Sequence, residues 1–413
     1  MDKRLALRAR ALAGFEAGIA AADPTLALSG AWEKSPPPNT SGRIFVISVG
    51  KAALRMAQSA QEQLGASTIA QTLVVTNPEN AGPLSGARVM AAAHPVPDQG
   101  GLAAGEAVLE CLNAARAGDL VIALISGGAS ALLPAPTSGL SLDDKMAVNK
   151  VLLSSGLDIT QMNLIRQNLS ELKGGGALRR AAPAQVVSYV LSDVLGDDLR
   201  VIGSGPTVGP IGTPAEARAL AEASGVWRAL PDAARAALSR PALPPPPGSQ
   251  AHLIGSNSHS LHAMARSTEA AISQGDLVGD VQQAAERIWS ETEEMAPGAA
   301  LAFGGETTVN VTGSGRGGRN QELALRVALE AEVRGIKGPW VFLSGGTDGR
   351  DGPTDAAGGF VDDKTLFRLR DAGLDVSAVL AQNDAYPALK ACGDLLMTGP
   401  TGTNVADLQI MLR

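Results

Sequence analysis

Five short segments gather the residues able to handle an anion or move a proton. Ser48-Val-Gly-Lys51-Ala sets a lysine directly after a glycine that ends an apolar run. There its ammonium group can meet an anion collected at the start of the following helix. A solvated lysine opening a helix reads the same way, and the missing GxxxxGK[ST] spacing removes Walker-type chemistry. Ser126-Gly127-Gly128-Ala-Ser130 offers two glycines whose amides can converge on an oxyanion, with a hydroxyl on either side; a plain strand–helix turn uses the same glycines. Ser192-Asp193 ends a further apolar run, ahead of Asp197, Asp198 and Gly203-Ser-Gly-Pro-Thr207. An aspartate so placed can hold Mg2+, accept a substrate proton or cap a helix. Gly304-Gly-Glu306-Thr precedes Gly313-Ser-Gly-Arg316-Gly-Gly-Arg319-Asn-Gln-Glu322, which formally contains GxGxxG. Two guanidinium groups in one glycine-rich turn suit a multiply charged phosphate or carboxylate, gripped bidentately. The last segment, Ser344-Gly-Gly-Thr-Asp348-Gly-Arg-Asp351-Gly-Pro-Thr-Asp355, can bind a divalent cation or simply turn the chain, and it misses the EF-hand spacing.

The elements that must position these loops read as alternating strands and helices. Apolar runs at 43–49, 72–76, 119–125 and 186–191 are continuous rather than alternating, which predicts a mostly parallel sheet covered on both faces. Further strands are expected at 252–254, 300–303, 307–311 and 340–343; Thr307, Val309 and Val311 alternate with polar neighbours and fit an antiparallel or edge position. The run Pro241–Gly248 can continue neither element and marks a domain boundary. The expected architecture is α/β: two α/β/α sandwich domains, residues 1–245 Rossmann-like and residues 246–413, with an interdomain cleft. In open α/β sheets ligands gather at the carboxyl ends of strands, where the loops above lie.

Composition narrows the function. The 413 residues carry 34 Lys+Arg against 41 Asp+Glu, a net charge of −7, with no long basic run, so no nucleic-acid partner is expected. No apolar stretch reaches the ~20 residues of a membrane span. Two cysteines, Cys111 and Cys392, exclude a disulfide framework and a structural zinc. Lys3, Arg4, Arg8 and Arg10 before Ala11–Ala22 imitate a secretory leader. Glu16 interrupts that stretch, and Leu5, Leu7, Leu12, Phe15 and Ile19 recur at near-helical spacing, so an amphipathic helix and a cytoplasmic protein are expected. His94, His252, His259 and His262 lack metal-binding spacing, and no GxSxG elbow occurs, which disfavours hydrolysis. Oxyanion donors, one lysine, two arginines and several aspartates suit phosphoryl transfer, where positioning and charge neutralisation do most of the work.

Longer blocks carry a resemblance. VGKAALRM (49–56), HPVPDQGG (94–101), LISGGASALL (124–133), NLIRQNLSELKGGG (163–176), LSDVLGDDLRVIGSGPT (191–207), GGETTV (304–309), GRGGRNQE (315–322) and SGGTDGRDGPTDAAG (344–358) resemble the class II glycerate 2-kinases, over essentially the whole chain. That family has an N-terminal glycerate kinase domain and a C-terminal MOFRL domain. The resemblance implies phosphorylation of D-glycerate at its 2-hydroxyl by ATP with Mg2+, giving 2-phospho-D-glycerate. It places the family's essential lysine at Lys51, its essential arginine at Arg319, and at Asp193 an aspartate that serves acid–base chemistry or the metal. Ser126, Gly127, Gly128, Ser130, Glu306, Arg316 and Asp348 are the expected substrate- and nucleotide-binding residues, with Arg319 and Glu306 reaching into the cleft from the C-terminal side. Members have also been labelled hydroxypyruvate reductases, so an NAD(P)H-dependent reductase is the alternative, and a non-catalytic binder of a phosphorylated metabolite a third reading. A reductase should carry an acidic residue about 20 positions after GxGxxG, at a strand end. That stretch instead reads as helix. The oligomeric state, a homo-oligomer included, stays open.

Overall fold

Six strands form the first sheet: β1 (Ile44–Val49), β2 (Ile69–Thr76), β3 (Ala87–Ala91), β4 (Leu120–Ile125), β5 (Gln185–Leu191) and β6 (Gln250–Gly255). Their order is β3-β2-β1-β4-β5-β6, and the pairings among β1 to β5 are parallel. Strands such as Leu-Val-Ile-Ala-Leu-Ile in β4 are buried along their whole length because helices cover both faces. Phe45, Ile47 and Val121 pack with Val108, Cys111 and Leu112 of helix Gln99–Ala114, while Val74 packs with Ala53 and Ala57 of helix Ala53–Leu64. The strand order reverses between β1 and β4. A crevice opens at the carboxyl ends there, where doubly wound sheets receive ligands.

The second sheet is mostly antiparallel. It contains β7 (Ala271–Ile272), β8 (Leu277–Asp280), β9 (Ala300–Thr308), β10 (Val341–Gly346), β11 (Gly358–Asp362), β12 (Leu395–Leu396) and β13 (Asp407–Leu412), in the order β12-β11-β10-β13-β9-β7 with β8 also on β9. From β12 to β9 every pairing is antiparallel; β7 and β8 alone join β9 in parallel. It too is covered twice, Phe303, Phe342 and Met411 meeting Trp289 and Leu323 on one face, Val341, Leu343 and Ile410 meeting Phe15 and Met264 on the other. Residues 300–308 are one strand, so Gly304, Gly305 and Glu306 lie inside β9 rather than in a loop. The glycines serve close approach: a Cβ at Gly305 would run into the Leu277 backbone and one at Gly304 into Asn257.

The computed structural model describes residues 3–413 and separates into two compact units, Pro24–Ile254, and Gly255–Arg413 together with the residues up to Asp23. The expected division at 245/246 differs at both ends. β6 follows the proline run yet extends the first sheet, and helix Lys3–Ala21 belongs with the second unit. That helix buries Ala11, Gly14, Phe15 and Gly18; a Cβ on either glycine would meet Thr268 or Leu408. Leu7, Leu12 and Ile19 are partly buried and Leu5 is 64% exposed. The cations that imitated a leader make ion pairs: Arg8 bridges the buried Asp362 (2.6 Å) and Asp394 (2.7 Å), and Arg4 holds Asp363 (2.7 Å). Among the described residues no helix is long and apolar enough to cross a membrane.

Candidate active site

In the unit Pro24–Ile254 the crevice between β1 and β4 brings three of the five segments together. The turn after β1 is stitched to the turn after β4: Lys51 N donates to Gly127 O (2.9 Å), and Ala52 N donates to Ser126 Oγ (3.1 Å). Gly50, at φ 127°, has its Cα against Ser126, a position no side chain could share. Ser126 is therefore buried and its hydroxyl already committed to tying the loops, which makes it a positioning residue rather than an open oxyanion donor. A Cβ at Gly127 would collide with the Asp193 carboxylate, and one at Gly128 would press on Lys51 Cγ (3.4 Å) and His94 Nε2 (3.4 Å). The two glycines thus let Lys51, His94 and Asp193 converge on one patch of backbone.

Electrostatics match the crowding. Burial raises the Asp193 carboxyl above the ordinary range, against the opposing pull of Lys51 and the Gly128 amide. Burial and Lys51 together lower the His94 imidazole, which favours its neutral form. Gly128, Ser130, Asp193 and His94 line a cleft of about 730 Å³. Its far wall holds residues that sequence reasoning passed over: Lys145 on helix Leu142–Leu153, and Asn163 and Arg166 on helix Ile159–Gln167. Behind the wall Lys173 donates to Ser130 O (3.0 Å) and Ser130 Oγ (2.5 Å), and Ser204 Oγ donates to Asn163 Oδ1 (2.9 Å). Asn163, Arg166 and Gln167 recur at i, i+3 and i+4, a polar helix face that looks solvated until the fold buries it.

The unit Gly255–Arg413 carries the remaining candidates in a different arrangement. Arg319 opens helix Arg319–Val333 and presents its fork to the fully buried Asp407, Nε to Oδ2 (2.6 Å) and Nη2 to Oδ1 (2.9 Å). Its remaining edge, Nη1, meets Glu306 Oε1 at 2.9 Å. Although burial opposes it, the Asp407 pair raises the guanidinium further. Asp351 accepts from the Asn320 and Gln321 amides (3.2 and 2.9 Å), so a carboxylate already occupies the start of that helix. Burial pushes Asp351 up to about 7. Gly318 must lack a side chain because Asp351 lies where its Cβ would be, and Gly313 and Gly315 likewise back onto Gln382 and Asp384. Arg316 is exposed and stacks over Tyr386 at 4.4 Å. Asp348 Oδ1 accepts from Arg350 N (3.0 Å), a turn-forming contact. Arg319, Glu306 and Asp351 come together in this unit; Arg316 and Asp348 make separate local contacts. Among the described residues no cluster of three His, Cys, Asp or Glu side chains is arranged to hold a metal.

Comparison with known proteins finds two families, the first reaching back into helix Lys3–Ala21. Residues 10–239 match a domain of unknown function (DUF4147), and residues 299–407 match the MOFRL family. The chain is 40% identical to the D-glycerate 2-kinase of Thermotoga maritima, over 90% of each chain. It is 36% identical to the human glycerate kinase, over 89% of this chain and 84% of that one. A protein of Agrobacterium vitis with a provisional hydroxypyruvate reductase label is 39% identical, over 96% of this chain and 92% of its own. The crystal structure of a Thermotoga maritima glycerate kinase superposes with a TM-score of 0.90 at 38% identity, covering 98% of this chain and 99% of that one. Identity at this level across both domains settles kinship: the chain belongs to the class II glycerate 2-kinase family, with its DUF4147 and MOFRL domains in sequence.

Proposed function

We propose that the protein transfers the γ-phosphoryl group of ATP to the 2-hydroxyl of D-glycerate, giving 2-phospho-D-glycerate, in the cytoplasm. The observation that carries this reading is the meeting of Lys51 and Asp193 across Gly127–Gly128 at the β1/β4 switch point. Lys51 neutralises charge on the transferred group, while the Gly128 amide holds the Asp193 carboxylate beside it. Asp193, its carboxyl raised by burial, orients the glycerate hydroxyl and takes its proton as the bond to phosphorus forms. Among the described residues Asp193 is the one carboxylate lining the cleft. This fits Mg2+, which uses one or two carboxylates with substrate phosphates and would neutralise phosphate charge there. Arg319, its plane fixed by Asp407, exchanges Glu306 for an anionic oxygen at its free edge.

The reductase reading meets a specific obstacle. In a dinucleotide fold the helix start after GxGxxG holds the pyrophosphate, and here Asp351 fills that place while Gly313, Gly315 and Gly318 back onto protein atoms. The deciding assay incubates the purified protein with D-glycerate, ATP and Mg2+ and identifies the product isomer. ATP-dependent formation of 2-phosphoglycerate is expected. Formation of 3-phosphoglycerate, or oxidation of NAD(P)H by hydroxypyruvate without ATP consumption, overturns the proposal. Lys51→Ala should lower kcat by ~10²-fold or more.

A further inference from the structure

Lys145, Arg166 and the exposed Lys150 line the cleft in residues 24–254, Lys173 lies buried against Ser130, and no carboxylate pairs with any of them among the described residues. Lys145 is 9% exposed and its ammonium group makes no hydrogen bond. Arg166 gives Nε to the neutral Asn149 Oδ1 at 3.0 Å. Lys173, 4% exposed, is held by Ser130 and Ser204 oxygens alone. Buried charge without countercharge is costly, and a ligand of opposite charge offsets that cost. Lys145, Arg166 and Lys173 titrate below their ordinary range, from burial first; Arg166 further depresses Lys145, to about 8, and Lys145 and Arg166 further depress Lys173. The same cleft has a second, opposite character. Val96, Leu153 and Ile159 line it while remaining 62%, 71% and 46% exposed, an apolar rim facing solvent.

We infer that this cleft is the nucleotide subsite: Lys145 and Arg166 take the phosphate chain, Lys173 fixes the Ser130 hydroxyl beside it, and Val96, Leu153 and Ile159 receive the base. The inference rests on the kinase reading and assigns the nucleotide, rather than the acid acceptor, to this wall. Charge count decides between them. A triphosphate brings several negative charges to this group of cations, whereas glycerate brings one. Size agrees, since about 730 Å³ falls within the ~300–1,000 Å³ of pockets for ligands of drug size. A three-carbon acid would leave most of it to water. A lining that combines cations with exposed apolar side chains suits the phosphates and base of a nucleotide.

The test measures equilibrium binding of ATP and of inorganic tripolyphosphate to the full chain by calorimetry, without glycerate, for the wild type, Lys145→Met, Arg166→Met and Ile159→Glu. Loss of either cation should weaken both ligands by roughly tenfold or more. Ile159→Glu, at an exposed position where folding is undisturbed, should weaken ATP by a similar factor and leave tripolyphosphate within about twofold. The KM for glycerate should stay within about threefold in each active variant. A Lys145→Met protein that binds ATP and tripolyphosphate normally but shows a tenfold higher glycerate KM would overturn the assignment and give the wall to the acceptor. Equal ATP affinity in all four proteins would overturn it as well. The two readings fail separately. Lys145-dependent ATP binding without glycerate phosphorylation supports the subsite against the proposed acceptor, while glycerate phosphorylation with variant-independent ATP binding does the reverse.

Discussion

The two units bury charge in opposite ways. Around Arg319 each charge has its answer: Asp407 takes the fork, Glu306 the remaining edge, and Asp351 the amides of the helix start. Around Lys145, Arg166 and Lys173 the cations have only neutral oxygens or nothing. A satisfied cluster fixes one geometry and resists change; an unsatisfied one stores a cost that a ligand of the right sign removes. In the proposed reading the Arg319 cluster serves as a preset arm, and the lysine-lined cleft as the place where a ligand offsets that cost.

The largest effect that would sharpen this contrast is at Asp193. Its carboxyl sits where burial disfavours the charged form, so Asp193→Asn should lower kcat by ~10²- to 10⁴-fold with the melting temperature unchanged or higher. A matching loss of thermal stability would make the residue structural. In the Arg319 cluster the balance is reversed. Asp407→Asn and Arg319→Lys each break a pair whose acid is fully buried, and urea unfolding should show a loss near 3 kcal/mol, the low end for a buried pair because Arg319 keeps 35% exposure. If both variants unfold like the wild type, the network is not what sets the arm.

Lys145 supplies the opposite sign. Removing a buried cation that has no partner should stabilise the ligand-free protein, by up to about 3 kcal/mol on the displacement of its titration from 10.5 to about 8. Tripolyphosphate should raise the melting temperature of the wild type more than that of Lys145→Met. Destabilisation by this substitution would break the comparison between the units.

The clusters differ equally in how readable they were in the sequence. Lys51, Gly127, Gly128 and Asp193 announce themselves because each closes a continuous apolar strand, and strand ends are where doubly wound sheets collect ligands. Lys145 and Arg166 carry no such sign. Both sit in helices with polar residues on more than one side, Lys145 together with Lys150, and only the packing of helices Leu142–Leu153 and Ile159–Gln167 turns them inward. Glu306 was misplaced because paired glycines usually end a strand, whereas in β9 they let β8 approach the chain. Helix Lys3–Ala21 precedes the first sheet in the chain yet packs within the second unit; its glycine faces and Arg8 fit partners more than 200 residues away, which local pattern cannot reveal.

The gentlest effect, per pH unit, is a pH dependence that separates the clusters by sign. Lys145 titrates at about 8 in the folded protein and near 10.5 unfolded. Between those values the unfolded chain holds the proton and the folded one does not, so stability should rise with pH from about 8 to 10.5 and be level, at its full penalty, below 8. Arg166 and Lys173 stay beside it from the neighbouring elements, and Asp193 and His94 share the cleft, so the signal is the difference between wild type and Lys145→Met. Asp351 gives the mirror image. Its carboxyl, raised to about 7 by burial, keeps its proton when the unfolded chain has lost it near 3.8, so stability should fall as pH climbs from about 4 to 7. Either slope is at most about 1.4 kcal/mol per pH unit. Chemical denaturation from pH 4 to 10.5 reads both, and Asp351→Asn should flatten the acid limb while leaving the alkaline limb to Lys145. A single substitution that flattens both limbs would mean the two clusters titrate as one, and the contrast between them would be lost.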